Sequence, residues 1–128
     1  MKHIFLADDD ADDKLLFVEA INDIDASINC IMTSNGHEAL TLLKAMNPLP
    51  DLIFLDVNMP VVNGLDCLKD LRATKRYSGV PIVMLTTSST EFIRAQAMGA
   101  NLVLTKPPSF KELKDLLQDV INKGKSLF

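Results

Sequence analysis

Several features that mark specialised classes of protein are missing from this sequence. It has two cysteines, Cys30 and Cys67, which are too few for a disulfide framework and lack the spacing of a zinc site. Both lie in apolar patterns, so we expect reduced thiols in a core. None of the five glycines belongs to a glycine-rich phosphate loop. No apolar run approaches the roughly 20 residues that a membrane-spanning helix needs.

The chain also lacks an excess of positive charge, internal repeats and low-complexity segments. Its formal net charge of −4 speaks against a nucleic-acid-binding surface. Because Met1-Lys2-His3 leads directly into an apolar run, we expect no secretory signal and a cytoplasmic protein. The 128 residues, 48% apolar and 23% charged, are typical of one soluble globular domain with a core of its own.

Four short apolar runs, each followed by polar residues, dominate what is present. They cover residues 4–7 before Asp8, 52–55 before Asp56, 82–85 before Thr86, and 102–104 before Thr105-Lys106. Continuous apolar runs of this length are typical of fully buried parallel strands. Open α/β sheets bind their ligands at the carboxyl ends of such strands. We therefore expect the polar residues to meet at one edge of a sheet.

Amphipathic helical patterns alternate with these runs. Residues 27–33 alternate more loosely and predict an additional edge strand. The β–α unit thus recurs five times, which predicts an α/β fold with a parallel sheet, helices on both faces and right-handed crossovers.

Capping residues predict where the helices begin and end. Asp10 is a natural N-cap for the first helix, and residues 109–112 form a capping box for the last, with Gly124 following its end. The fourth helix is predicted to start at 88–91, to carry Ile93 and Ala97 on its apolar side, and to stop at Gly99.

The predicted edge of the sheet gathers unusual charge. Asp8, Asp9 and Asp56 would converge and repel one another, and a hard divalent cation such as Mg²⁺ relieves that repulsion. Lys106 would supply a positive charge opposite the metal, and the Thr86 hydroxyl a hydrogen bond. A carboxylate between these cations is arranged to receive a phosphoryl group, and Asp56, at the centre, is the predicted nucleophile.

In this order and at these spacings, the residues resemble a known family over essentially the whole chain. They are Asp8-Asp9, Asp56 in LDVNMP, Gly64, Thr86 and Lys106-Pro107. The chain is similar to the receiver domains of bacterial two-component response regulators, of the stand-alone, CheY-like type. The resemblance implies a doubly wound, flavodoxin-like sheet of order 2-1-3-4-5. It also implies one receiver domain over residues 1–128, without an output domain.

The resemblance further implies a phosphorylation site. Asp56 would accept a phosphoryl group from a histidine kinase or a histidine phosphotransfer protein. Asp9, Asp56 and the main-chain carbonyl of Asn58 would bind Mg²⁺ directly, and Asp8 largely through water. Thr86 and Lys106 would contact the phosphoryl group, and the peptide bond before Pro107 is typically cis.

The implied activity is signalling rather than free-standing catalysis. The protein would promote its own phosphorylation and slow dephosphorylation. It would then act on a downstream protein target through contacts or by passing the phosphoryl group on, as a monomer or a phosphorylation-dependent dimer. An interaction module that signals without phosphorylation remains the alternative. The complete set of Asp8, Asp9, Asp56, Thr86 and Lys106 favours the phosphorylated receiver.

The sequence departs from the family pattern in several places. Val103 stands where an aromatic residue usually swings inward on phosphorylation, Pro108 replaces a common phenylalanine, and Asn63 replaces a common aspartate. The segment between Thr86 and Gly99 is about two residues shorter than is typical.

Two apolar residues lie off the buried stripe of the first helix. Leu15 lies about 160° from Phe17 around the helix and Val18 about 100°. Receivers commonly dock their kinase with this helix, so Leu15 and Val18 are candidates for partner docking. A small surface patch without a role is the alternative reading.

Overall fold

The computed structural model describes residues 1–87 and 89–127, in which strands and helices alternate. The strands are β1 (His3–Ala7), β2 (Asn29–Thr33), β3 (Leu52–Asp56), β4 (Ile82–Thr86) and β5 (Leu102–Thr105). The helices are α1 (Ala11–Ile24), α2 (Gly36–Ala45), α3 (Gly64–Ala73), α4 (Ser89–Ala97) and α5 (Phe110–Leu127), with a 3₁₀ turn at Lys75–Tyr77.

All neighbouring strands pair in parallel, in the order β2-β1-β3-β4-β5. This confirms the predicted doubly wound, flavodoxin-like fold. The central strands β3 and β4 are buried along their whole length. They read as continuous apolar runs because helices cover both of their faces.

The pleat of each strand divides the core into two layers. In β1, Ile4 and Leu6 face α1 and α5, whereas Phe5 and Ala7 face α2, α3 and α4. In the first layer the rings of Phe17 and Phe54 meet edge to face, with centroids 5.1 Å apart. Thus α1 and α5 share one face of the sheet.

Side-chain caps start the helices as the sequence predicts. The Asp10 carboxylate accepts hydrogen bonds from the backbone N–H groups of Asp12 and Asp13, at 2.9 and 3.0 Å. The Ser109 hydroxyl accepts one from the N–H of Glu112 at 3.2 Å. Both predicted caps are confirmed, and each satisfies N–H groups that the first turn leaves without a helical partner.

The predicted end of α5 is wrong. The helix does not stop before Gly124 but continues to Leu127. A glycine inside a helix costs only about 1 kcal/mol relative to alanine. Pairs one turn apart support the last turns, since Lys123 contacts Asp119 at 3.0 Å and Gln118 bonds Asn122 at 3.1 Å.

The predicted apolar side of α4 is also wrong at Ile93, whose side chain is 69% exposed. The buried residue is Ala95, which lies nearly opposite Ile93 around the helix. Ala95 packs fully buried in the core layer that also contains residues of α2 and α3, and the helix geometry then leaves Ile93 on the side that faces solvent. The predicted start at Ser88 and the side chain of Ala97 lie outside the described residues.

Arg72 of α3 fixes the connection between α4 and β5. Its guanidinium donates to the carbonyls of Gly99, Tyr77 and Val80 at 2.9–3.1 Å and to the Asn101 side chain at 2.6 Å. Gly99, two residues after α4 ends at Ala97, adopts φ +100°, which a residue without a side chain tolerates, so the helix stops before this glycine as predicted.

The two cysteines are free thiols, as the sequence indicates. Burial raises the pKa of Cys67 to about 12 and that of Cys30 to about 11, so neither is a reactive thiolate near neutral pH. Among the described residues, no helix combines the length and the apolar character needed to span a membrane.

Candidate functional site

The parallel register brings the predicted polar residues to one edge of the sheet. Ala7 lies beside Leu55, so Asp8 and Asp56 extend from neighbouring strands. Thr86 lies beside Thr105, which places Lys106 one residue beyond it. The sheet therefore gathers the residues that the strand ends predicted.

Three carboxylates form a cluster at this edge. Asp8, Asp9 and Asp56 each present an oxygen within 4.8 Å of the other two. Asp8 and Asp56 are buried, while Asp9 is exposed and accessible from solvent. An all-oxygen set open to water on one side is what Mg²⁺ prefers, so these residues fit the predicted metal site.

The loop after β3 orients Asp56. Its Oδ1 accepts a hydrogen bond from the backbone N–H of Asn58 at 3.3 Å. Gly64, at the start of α3, packs so tightly that an added Cβ would lie 2.1 Å from the Asp56 carbonyl oxygen. The Asn63 side chain caps α3 through the N–H of Asp66 at 2.9 Å. Asparagine caps a helix as well as aspartate does, so the departure at Asn63 leaves this loop intact.

Part of that loop is strained. Val61 has φ +69° and the N–H of Val62 bonds the Pro60 carbonyl oxygen at 2.8 Å, which closes a tight three-residue turn. A β-branched residue rarely adopts this conformation, and Val61 is 81% exposed. This strained backbone lies in the loop that follows Asp56. Strained backbone is typical of functional sites.

Lys106 joins the acids through its ammonium group. Its Nζ lies 3.1 Å from Asp8 Oδ2, 3.2 Å from Asp56 Oδ2 and 3.1 Å from Asp13 Oδ2. Burial alone would lower the pKa of Lys106, but the neighbouring carboxylates outweigh it and raise that pKa above its ordinary value. The ammonium stays charged at any physiological pH.

The electrostatics of Asp56 show the opposite balance. Burial raises its pKa to about 6, Lys106 opposes that shift, and the charge of Asp8 adds to it. An ammonium at 3.2 Å therefore only partly compensates for crowding and lost hydration. The negative charge of the cluster is therefore only partly balanced, which favours the binding of a further cation.

Thr86 is buried, and its hydroxyl lies 3.3 Å from the Glu91 carboxylate of α4, to which it donates. The sequence placed Thr86 correctly at the strand end but gave no sign of this link to α4. The sequence pattern did not single out Asp13, which lies in the first turn of α1. A signal for its contact with Lys106 did exist, because the first turn of a helix that follows a strand lies over the same edge.

A groove runs beside the acidic cluster, between α1 and the connection from β5 to α5. Its volume is about 170 Å³. Its lining includes Asp13, Leu16, Lys106, Pro108 and Phe110. Acidic, basic and apolar groups thus share one recess next to the predicted acceptor.

The two predicted docking residues differ in exposure. Leu15 is 55% exposed, whereas Val18 is half-buried and less accessible. Leu16, which the helical pattern did not single out, is 38% exposed and borders the groove. The apolar surface of α1 is therefore centred on Leu15 and Leu16.

One expectation from the family resemblance is not met. Among the described residues the cis peptide bond is Asn47–Pro48, and the bond between Lys106 and Pro107 is trans. Val103, at the position of the usual aromatic residue, is buried in the layer that contains α3 and α4.

Comparison with known proteins gives a consistent result. A model of the response regulator receiver domain matches residues 4–118. A chemotaxis protein CheY homolog of Campylobacter jejuni is 36% identical over 123 residues, which cover 87% of this chain and 94% of that protein.

Solved structures agree over nearly the whole chain. The phosphorylated cyanobacterial phytochrome response regulator RcpA superposes with a TM-score of 0.90 at 25% identity, covering 99% of this chain and 96% of that one. The Mn²⁺-bound form of the response regulator Rcp1 gives 0.86 at 26% identity, covering 100% and 97%. The chain therefore belongs to the response regulator receiver domains of two-component systems, whose signalling depends on phosphorylation.

Proposed function

We propose that Asp56 accepts a phosphoryl group from a phosphohistidine of a histidine kinase or a histidine phosphotransfer protein. The observation that carries this proposal is the position of its carboxylate. Asp56 is buried and held 3.2 Å from the Lys106 ammonium, within a cluster of acids open to solvent on the side of Asp9. Asp8 is also buried and bonds Lys106 and a backbone N–H, so the choice of Asp56 rests on its place at the end of β3, between β1, which leads to Asp8, and β4, which ends at Thr86.

An electron pair on an Asp56 oxygen forms a bond to phosphorus, while the phosphorus–nitrogen bond of the donor breaks and its electron pair returns to the imidazole nitrogen. Lys106 neutralises charge on the transferred oxygens, and the Thr86 hydroxyl donates a hydrogen bond to one of them after leaving Glu91. The product is an aspartyl phosphate, and attack by water returns Asp56 and inorganic phosphate.

We assign Asp8, Asp9, Asp56 and the main-chain carbonyl of Asn58 to a Mg²⁺ ion, with Asp8 acting largely through water. A bound Mg²⁺ supplies charge that neutralises the phosphoryl oxygens. The Asn58 N–H and the Lys106 ammonium hold the Asp56 carboxylate in position. The similar response regulator Rcp1 has an Mn²⁺-bound form, which supports the binding of a divalent cation by this chain.

Output then passes to a downstream protein, through contacts or by onward phosphotransfer. The exposed apolar surface of Leu15 and Leu16 beside the groove is where we place the phosphohistidine partner, together with the half-buried Val18. This surface adjoins the acid cluster, so a docked partner brings its imidazole within reach of Asp56.

Acetyl phosphate and Mg²⁺ test the assignment of the acceptor. We expect intact-protein mass spectrometry to show one added phosphoryl group on the wild type and none on Asp56→Asn. Asp66→Asn, which alters an exposed acid in the first turn of α3, serves as the control and should label normally. Stoichiometric labelling of Asp56→Asn would place the nucleophile elsewhere. No labelling of the wild type by any donor would favour the module that signals without phosphorylation.

A further inference from the structure

The third carboxylate on Lys106 comes from outside the predicted metal site. Asp13 lies in the first turn of α1, and its Oδ2 is 3.1 Å from Lys106 Nζ. The acids that share an oxygen cluster are Asp8, Asp9 and Asp56, and Asp13 is not among them. The ion pair between Asp13 and Lys106 is therefore not part of the predicted metal site.

The three partners of Lys106 differ in how firmly they are held. The side chains of Asp8 and Asp56 are 4% and 6% exposed, whereas that of Asp13 is 44% exposed. Asp8 is further fixed through the Asp10 N–H at 3.0 Å. A half-exposed carboxylate can turn to water at little cost. Asp13 is thus the partner that Lys106 can exchange most easily.

An ammonium group has three protons, and here each has a carboxylate to bind. A phosphoryl group on Asp56 brings new acceptor oxygens to the same nitrogen. One existing bond must then weaken for Lys106 to bind the phosphoryl group. The charge of Asp13 also opposes the arrival of a second anion nearby.

We infer that Asp13 is a positioning residue that holds Lys106 on the side of α1 and competes with the phosphoryl group for it. This inference rests on the proposed phosphorylation of Asp56. Asp13 thereby lowers the affinity of the site for the phosphoryl group. Because it also joins α1 to the β5–α5 connection at the rim of the groove, exchange of the Lys106 partner releases a link between those two elements.

Asp13→Asn tests the inference against a closely matched control. Asp12 lies in the same turn, carries the same charge, and its N–H bonds the same Asp10 oxygen. Asp12→Asn therefore removes the same charge from the same turn, whereas Asp12 is not among the carboxylates that bind Lys106. In Mg²⁺ buffer we expect Asp13→Asn to bind beryllofluoride about two- to fivefold more tightly than Asp12→Asn, the range that a partly exposed charge pair supports.

Two further measurements separate this role from a structural one. The advantage of Asp13→Asn should shrink at high salt, because screening weakens an exposed charge. It should also become smaller in a Lys106→Ala background, where only the direct repulsion between Asp13 and the bound anion remains. Equal beryllofluoride affinity in Asp13→Asn and Asp12→Asn, or an advantage that is undiminished without Lys106, overturns the inference.

A metal-free arm tests the pair itself. Without Mg²⁺ or any phosphoryl analogue, acetic anhydride should acetylate Lys106 faster in Asp13→Asn than in Asp12→Asn, as read by peptide mass spectrometry. Unchanged acetylation rejects the contact. If acetylation rises but the wild type neither binds beryllofluoride nor takes up phosphate, the proposed function fails while the ion pair stands. If the wild type is phosphorylated and Asp13→Asn matches its control, only the inference fails.

Discussion

Burial and the neighbouring charge of Asp8 make the charged form of the Asp56 carboxyl costly to the metal-free fold. Burial raises its pKa to about 6, with Lys106 lowering and Asp8 raising it, against an ordinary value of 3.8. Because the folded pKa lies above the unfolded one, the contribution of this group to stability is complete below pH 3.8 and is lost as pH rises through about 6. The crowded acid therefore weakens the protein at neutral pH.

Asp56→Asn should remove this penalty. In metal-free buffer we expect the variant to melt above the wild type at pH 7.5, with a smaller difference at pH 4.5. The gain in free energy of unfolding is at most about 2–3 kcal/mol, the equivalent of roughly two pKa units. Calorimetry at the two values of pH measures the change, with Asp12→Asn as the control. A difference that does not grow with pH would show that Asp56 is not strained by its charge.

At the scale of residues, sequence reasoning found the groups that follow strand ends. Asp8, Asp56 and Lys106 meet because the register of parallel strands is regular, and regular features can be predicted. Asp13 and Glu91 were missed as contributors. The place of Asp13 in the first turn after β1 puts it near this edge, but the contact itself, like that of Glu91, depends on the angle at which the helix leaves the sheet, and packing sets that angle.

Among the elements, α1 carries a prediction about partner docking. Leu15→Asp and Leu16→Asp should each slow transfer from the cognate phosphohistidine protein by about tenfold, since apolar anchors at an interface are worth more than about 1 kcal/mol. Labelling by acetyl phosphate, which needs no docking surface, should stay normal. Val18 is half-buried, so its substitution would disturb packing and is left out of the test.

Ile93→Asp provides the matched control for docking. Ile93 is 69% exposed, a large apolar residue like Leu15, but it lies on α4 across the sheet from α1. Its substitution should leave transfer from the phosphohistidine protein unchanged. Loss of labelling with both donors in the α1 variants would indicate a damaged pocket. Normal transfer from the phosphohistidine protein in both α1 variants would show that this face is not part of the interface.

The errors at the scale of elements share one cause. Gly124 did not end α5 and Ile93 did not face the core, because contacts elsewhere outweighed a local preference. Propensities of single residues amount to about 1 kcal/mol or less, and packing of a whole helix face exceeds that. The existence and type of each element were predictable, since five long periodic patterns had to alternate.

For the whole molecule, Mg²⁺ should act as a stabilising ligand. At ten times its dissociation constant an ion that binds only the folded state adds about 1.4 kcal/mol, which raises the melting temperature of a domain of this size by about 3–6 °C. We expect this shift in the wild type and in Asp12→Asn but not in Asp9→Asn. Without Mg²⁺, Asp9→Asn should melt no lower than the wild type, because removing a crowded acid relieves repulsion. A full Mg²⁺ shift in Asp9→Asn would contradict the metal assignment.

The arrangement of the strands also determines when the proposed phosphorylation site is complete. Lys106 is separated from Asp8 by 98 residues and from Asp56 by 50, and it follows β5, the strand at the far edge of the sheet from β2. A chain that is still being folded, or that has opened at β5 and α5, holds its acids together without the ammonium that belongs among them. On the proposed assignment of Asp56, such a molecule lacks the ammonium that would neutralise the transferred oxygens and is a poor acceptor for phosphate. Competence for the proposed transfer therefore requires β5 and the connection that follows it to be in place.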